Sequence, residues 1–93
     1  MNTSPNVIPW FTPEEWAKTK AICEDPDTMF SSHDVWLDAA QKTAKHEETA
    51  TVTVHRVYLV ADKLAAYAGR HNRPLNSETR VAYAIDLYIG AAV

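Results

Sequence analysis

Residues 49–89 read TATVTVHRVYLVADKLAAYAGRHNRPLNSETRVAYAIDLYI, and how this stretch is read decides the fold. It opens on a strict alternation, Thr51-Val52-Thr53-Val54, and then passes into helix-forming sequence. The β-branched residues at 51, 52, 53, 54, 57 and 60, together with Tyr58, favour a strand over residues 51–60. A helical reading competes, because Val54, Val57, Tyr58, Ala61, Leu64, Ala65 and Ala68 also form an apolar stripe at helical spacing. After the strand, Ala61 to about His71 reads as a helix with Asp62 as a candidate cap. Asn72-Arg73-Pro74 breaks it, and Asn76 or Ser77 caps a last helix carrying Arg80, Val81, Ile85, Tyr88 and Ile89. A lone strand leaves its backbone N–H and C=O groups unpaired and needs a partner.

Upstream, the signals are helical. Residues 1–11 read as extended, with Pro5 and Pro9 opposing helix. Thr12-Pro13-Glu14-Glu15 sets a Thr cap, a Pro at the first helical position and a Glu at the third, and predicts a helix to about Glu24. Trp16, Ile22 and Cys23 are candidates for its buried face, and Asp25-Pro26-Asp27 ends it. Ser31-Ser32 precedes a second helix from about His33 to His46. Val35, Trp36, Ala39, Ala40 and Thr43 share one stripe of that helix. The expected class is α+β and mostly helical: two N-terminal helices, then strand–helix–helix, with the strand pairing across a homodimer. The alternative is an all-α bundle. A single domain is expected, made of an acidic helical part (residues 1–48) and a strand–helix–helix part (residues 50–93).

Composition narrows the function. The chain has 93 residues and a formal charge of −3. Residues 1–50 carry four Lys and nine Asp or Glu, whereas residues 51–93 carry five Lys or Arg and three Asp or Glu, so the C-terminal part is the basic one. Cys23 is the only cysteine, which excludes an internal disulfide and a cysteine metal cluster. The N-terminus lacks a positive region and a long apolar run, so no signal peptide is expected. No eighteen-residue apolar stretch occurs, so no membrane span is expected either. A reducing, cytoplasmic setting suits this composition.

Catalytic chemistry finds little support. His46-Glu47-Glu48-Thr49-Ala50 begins like a zinc-protease motif but places Ala where the second His belongs. Cys23 lies beside Glu24 and Asp25, which oppose thiolate formation, so packing is its better reading. The paired acids read as solvated faces and helix starts. The chain is therefore expected to be a non-enzyme without metal or cofactor. Trp10, Phe11 and Trp16, with Phe30 and Trp36, read either as a compact N-terminal core or as an exposed anchor for a partner protein.

The strand–helix–turn–helix order of residues 50–90, with Asn72-Arg73-Pro74-Leu75-Asn76-Ser77-Glu78 at the turn and Ala84-Ile85-Asp86-Leu87-Tyr88 at the helix end, resembles the ribbon-helix-helix family of repressors. The resemblance implies an antiparallel ribbon built from the strands of two chains and set into the major groove of duplex DNA. It places Thr51, Thr53 and His55 towards the bases and Val52 and Val54 towards the core. It gives Asn76 to Glu78 to a phosphate at the helix N-terminus, and Arg56, Arg70 and Arg73 to further phosphates. The implied function is a small dimeric regulator, repressor- or antitoxin-like, that occludes an operator while its N-terminal helices contact a protein. The alternative is a non-enzymatic protein-binding module or inhibitor. In that reading, such as for a phage- or plasmid-borne inhibitor, the acidic faces of residues 14–48, with Glu24, Asp25 and Asp27, would imitate phosphate charge and occupy a nucleic-acid-binding site on a host enzyme. The strand would pair with a partner's sheet edge or with a second copy.

Overall fold

The computed structural model describes residues 6–90. The chain runs β1 (Val7–Trp10), α1 (Pro13–Ile22), a 3-10 turn (Pro26–Met29), α2 (His33–Glu47), β2 (His55–Tyr58), α3 (Ala61–Arg70) and α4 (Ser77–Ile89). The class is α+β, with four α-helices around one small sheet.

Local chemistry sets the helix ends. Thr12 Oγ1 accepts from Glu15 N at 3.3 Å, and Pro13 opens α1 where its missing donor costs nothing. Ser32 Oγ accepts from Val35 N at 3.2 Å to start α2, and Asn76 Oδ1 accepts from Thr79 N at 3.1 Å to start α4. Gly90, at φ 78°, closes α4 in the left-handed conformation that glycine adopts without a Cβ penalty. The start of α3 departs from expectation. Its cap is not Asp62 but the carboxylate of Glu15 on α1, whose Oε1 accepts from Ala61 N at 2.9 Å.

The strand is not lone. β2 pairs in parallel with β1, in the register Val7↔His55 to Trp10↔Tyr58. The N-terminal segment already expected to be extended is the partner. The strand is also shorter than expected, because the Thr51–Val54 alternation stays outside it. Thr49 explains the delay. Its Oγ1 accepts from Val52 N at 3.1 Å and Thr51 N at 3.3 Å, while Thr49 N donates to Val52 O at 3.0 Å. A hydroxyl that bonds its own local backbone offers those amides an alternative to a ladder.

The two sheet faces meet different helices. Val7, Pro9, His55 and Val57 share the face towards α4, where the His55 and Tyr88 rings lie 4.4 Å apart. Ile8, Trp10, Arg56 and Tyr58 share the other face, where Trp10 meets Trp36 of α2 edge-to-face at 5.3 Å. Phe11 meets the same Trp36 at 5.4 Å, and Trp16 Nε1 donates to Met29 O at 3.1 Å. One apolar cluster joins these aromatics to Leu59, Leu64, Tyr67, Tyr83 and Ala84, so both parts of the chain contribute to the same core.

Several burial expectations change phase. Cys23 is buried but Ile22 is 42% exposed, and on α2 Trp36, Ala40 and Ala44 face inward while Val35 and Thr43 do not. On α4 the buried stripe is Thr79, Arg80, Tyr83 and Ala84, which turns Val81 and Ile89 outward, while Tyr88 lies in line with the stripe but past the end of the core.

Candidate functional site

The N-terminus of α4, expected to hold a phosphate, is filled by the chain itself. Ser77 N donates to Asp25 Oδ2 at 2.9 Å, and Arg80 Nη1 donates to Asp25 Oδ1 at 2.9 Å. The second Arg80 nitrogen, Nη2, donates to Thr28 Oγ1 at 3.0 Å and reaches Asp25 Oδ2 at 3.4 Å. Glu24 N donates to Leu75 O at 2.9 Å, so the turn after α1 is stitched to the turn before α4. A carboxylate at a helix N-terminus satisfies its free amides and dipole as a phosphate would. Asn76 and Ser77 are thus committed to intramolecular bonds, and Asp25 belongs to the fold rather than to a free acidic face.

Charge follows this geometry. Burial would push the Asp25 carboxyl up. The hydrogen bonds from Arg80, Thr28 and Ser77 N, with the Arg80 charge, outweigh burial and hold it below its ordinary value of 3.8. The Cys23 thiol receives Arg80 Nη1 at 3.3 Å, yet burial still pushes its pKa up. That is the behaviour of a packed cysteine, not an activated one.

The expected base-reading residues do not assemble. Thr51 and Thr53 are exposed but precede the strand. His55 turns to α4, where Tyr88 Oη and His55 Nε2 are 3.0 Å apart. Arg56 points to the opposite face, with its guanidinium 5.0 Å from the centre of the Trp10 ring. Arg73 sits apart from these, at the turn between α3 and α4, where its charge acts on the Tyr67 hydroxyl. Trp10, Phe11 and Trp16, one reading of which was an exposed anchor, are all buried in the core, because β1 and α1 close over them. Glu24 and Asp27 remain exposed.

What β2 does present is an edge. His55 N donates to Asn6 O at 2.8 Å and Leu59 N donates to Trp10 O at 2.9 Å, so the odd-numbered amides face β1. Alternation turns the N–H and C=O groups of Arg56 and Tyr58 to the other side, where the sheet has no further strand among the described residues. Large aromatic side chains lie on and beside this strand: Tyr58 is 60% exposed, and Tyr88, whose ring packs on His55, is 45% exposed. Leu87 and Tyr88 extend the inward stripe of α4 past the end of the core, and Ile89 beyond them is also exposed. Sequence reasoning found the strand and its open backbone groups but not the Asp25–Arg80 clasp. An arginine within the apolar run of α4 was the available signal for a buried ion pair.

Among the described residues, no three His, Cys, Asp or Glu side chains converge to hold a metal ion, and no helix is long and apolar enough to cross a membrane. No family model, curated protein or solved structure matches the chain.

Proposed function

We propose that this chain is a non-enzymatic protein-binding module that self-assembles through the outer edge of β2. The observation that carries the reading is the Arg56–Tyr58 edge, without a further strand among the described residues, on a strand that presents exposed Tyr58 and packs on exposed Tyr88. Such an edge is a template for another strand unless it is blunted, and this one carries neither proline nor glycine.

A second copy fits the edge by its own chemistry. Antiparallel pairing about a two-fold axis at Val57 sets Arg56 opposite Tyr58 of the second copy, and the reverse. Both side chains lie on the same sheet face, so the register makes two cation–aromatic cross-strand pairs. A register centred on Arg56 would instead oppose two like charges. The favoured pairing supplies about four backbone hydrogen bonds and joins two β1–β2 sheets into one of four strands. It also brings the last turn of α4, held against β2 through His55 and Tyr88, up to the partner.

Duplex DNA is the second reading. In this dimer the two Arg56 side chains lie near the axis on an exposed strand face, which is what survives of the ribbon reader. Its phosphate clamp at Asn76 and Ser77 is occupied by Asp25.

Tyr58→Pro tests the assembly. The Tyr58 amide faces away from β1, so proline there removes a donor the monomer does not use. Sedimentation equilibrium is expected to give a dimer for the parent chain and a monomer for Y58P, with unchanged circular dichroism. A parent chain that stays monomeric at high concentration overturns the reading. Anisotropy of a labelled duplex, with Arg56→Ala as control, decides whether DNA is a ligand of the dimer.

A further inference from the structure

The opposite edge of the same sheet is also open, and it lies at the bottom of a groove. Two adjoining clefts, of about 210 and 360 Å³, share Ile8, Thr43 and Val81 and so run into one another. Their floor is β1, and no residue of β2 lines either. One wall is α2, at Ala39, Ala40 and Thr43, and the other is α4, at Val81 and Ile85. The size is within the range of ligand-binding clefts.

The floor narrows what can bind. Ile8 and Trp10 bond to β2, so alternation aims the Val7 N–H and the Val7 and Pro9 carbonyls into the groove. No hydrogen bond among the described residues reaches them on that side. Pro9 has no N–H, so the edge offers one donor and two acceptors. A helix laid in the groove would strip water from these groups and return nothing, because its own amides are already used. An extended chain would pair with them.

The walls narrow it further. An added strand would face α2 on one side and α4 on the other, so both of its faces would be buried. Strands buried on both faces carry apolar side chains at consecutive positions, not alternate ones. The alanines of α2 leave room for large branched side chains on that face. At the Val54 end of the groove stands Glu47, which has no ion-pair partner among the described residues. A second copy cannot supply the strand from its own β1, because an edge recessed between two helices does not reach an equally recessed edge.

We propose that the groove between α2 and α4 takes an extended segment of another protein, added as a third strand to β1. The segment is apolar at consecutive positions and basic at the end that meets Glu47. This site is independent of the β2 edge, and a chain that dimerises through β2 keeps both copies of it open.

The test uses the full chain and a fluorescein-labelled peptide, Lys-Val-Ile-Val-Leu-Val-Lys, which carries a basic residue at each end because strand direction is open. Two further peptides are N-methylated on one or the other alternate set of amides. Saturable binding by anisotropy is expected, at least tenfold weaker for one methylation pattern and little changed for the other, since a strand edge uses every second amide. Thr43→Arg on one wall and Val81→Arg on the other each weaken binding at least tenfold, and Glu47→Lys weakens it several-fold. Both wall residues are exposed, so a fold defect in one variant leaves the other to decide. Tyr58→Pro leaves peptide affinity unchanged. Absence of saturation overturns the proposal, as does equal sensitivity to both methylation patterns or indifference to both wall variants. A V81R variant that alters self-association instead of peptide binding assigns the groove to a second copy and likewise overturns it.

Discussion

The two ends of α4 obey opposite rules. At the N-terminal end, Arg80 is only 6% exposed, and its guanidinium is met by Asp25 and Thr28. At the C-terminal end, Leu87, Tyr88 and Ile89 are apolar and stand in solvent. A hydropathy rule would have reversed these placements. The difference teaches that burial follows partners as much as polarity. A charge can be buried where a turn brings it a carboxylate, and an aromatic is left outside where the core has run out.

Breaking the clasp has the largest expected effect. Asp25→Ala leaves the Arg80 guanidinium buried without its counter-charge, which costs about 3 kcal/mol. The melting temperature followed by circular dichroism should fall by roughly 10 °C or more for a chain of this size. Loss of Asp25 with unchanged melting would mean that the two ends of α4 do not differ in the way described.

The clasp also sets a pH limb. The Asp25 carboxyl is held below its ordinary value of 3.8 in the folded chain. Its contribution is therefore complete above the unfolded value and is lost as pH falls through the folded one. Denaturant midpoints measured between pH 6 and pH 2 should drop on the acid side, and Asp25→Asn should flatten that drop while lowering the plateau.

A smaller loss is expected at the start of α3. Glu15→Ala removes the remote cap on Ala61 N, and a lost cap of this kind costs about 1 kcal/mol. Urea melts resolve a change of that size. An undetectable shift would assign the capping of that helix to solvent.

The smallest effect on folding belongs to the exposed end. Tyr88→Ser should stay within about 0.5 kcal/mol of the parent in monomer stability, because the ring is exposed and packs on His55 at the surface. The same substitution should weaken dimer formation several-fold by sedimentation. A variant that loses stability instead of association would place Tyr88 in the core and remove the contrast between the two ends.

Much of the fold was legible. The Thr12-Pro13 and Ser32 starts, the Asn72-Arg73-Pro74 break and the Asn76 cap place all four helices within a few residues of where they lie. The candidate site was far less legible. Thr51, Thr53 and His55 read as one face of a ribbon, but the Thr49 hydroxyl binds the Thr51 and Val52 amides, both threonines precede the strand, and His55 meets Tyr88. Asp25 and Ser77 read as an acidic surface and a phosphate cradle, yet they bond to each other.

What the sequence determined by itself was therefore local: helix starts and stops, the extended character of Val7–Trp10 and of His55–Tyr58, and the mixed class. Those outcomes rest on caps, prolines and β-branched side chains, whose energies act within a few residues. Only the tertiary structure decided that β1 is the partner of β2, that Glu15 caps α3, and that Asp25 reaches Arg80 across 55 positions of chain. Each of these contacts joins groups far apart in sequence. Its formation depends on the closing of loops and the packing of a shared core, and no window of neighbouring residues encodes that.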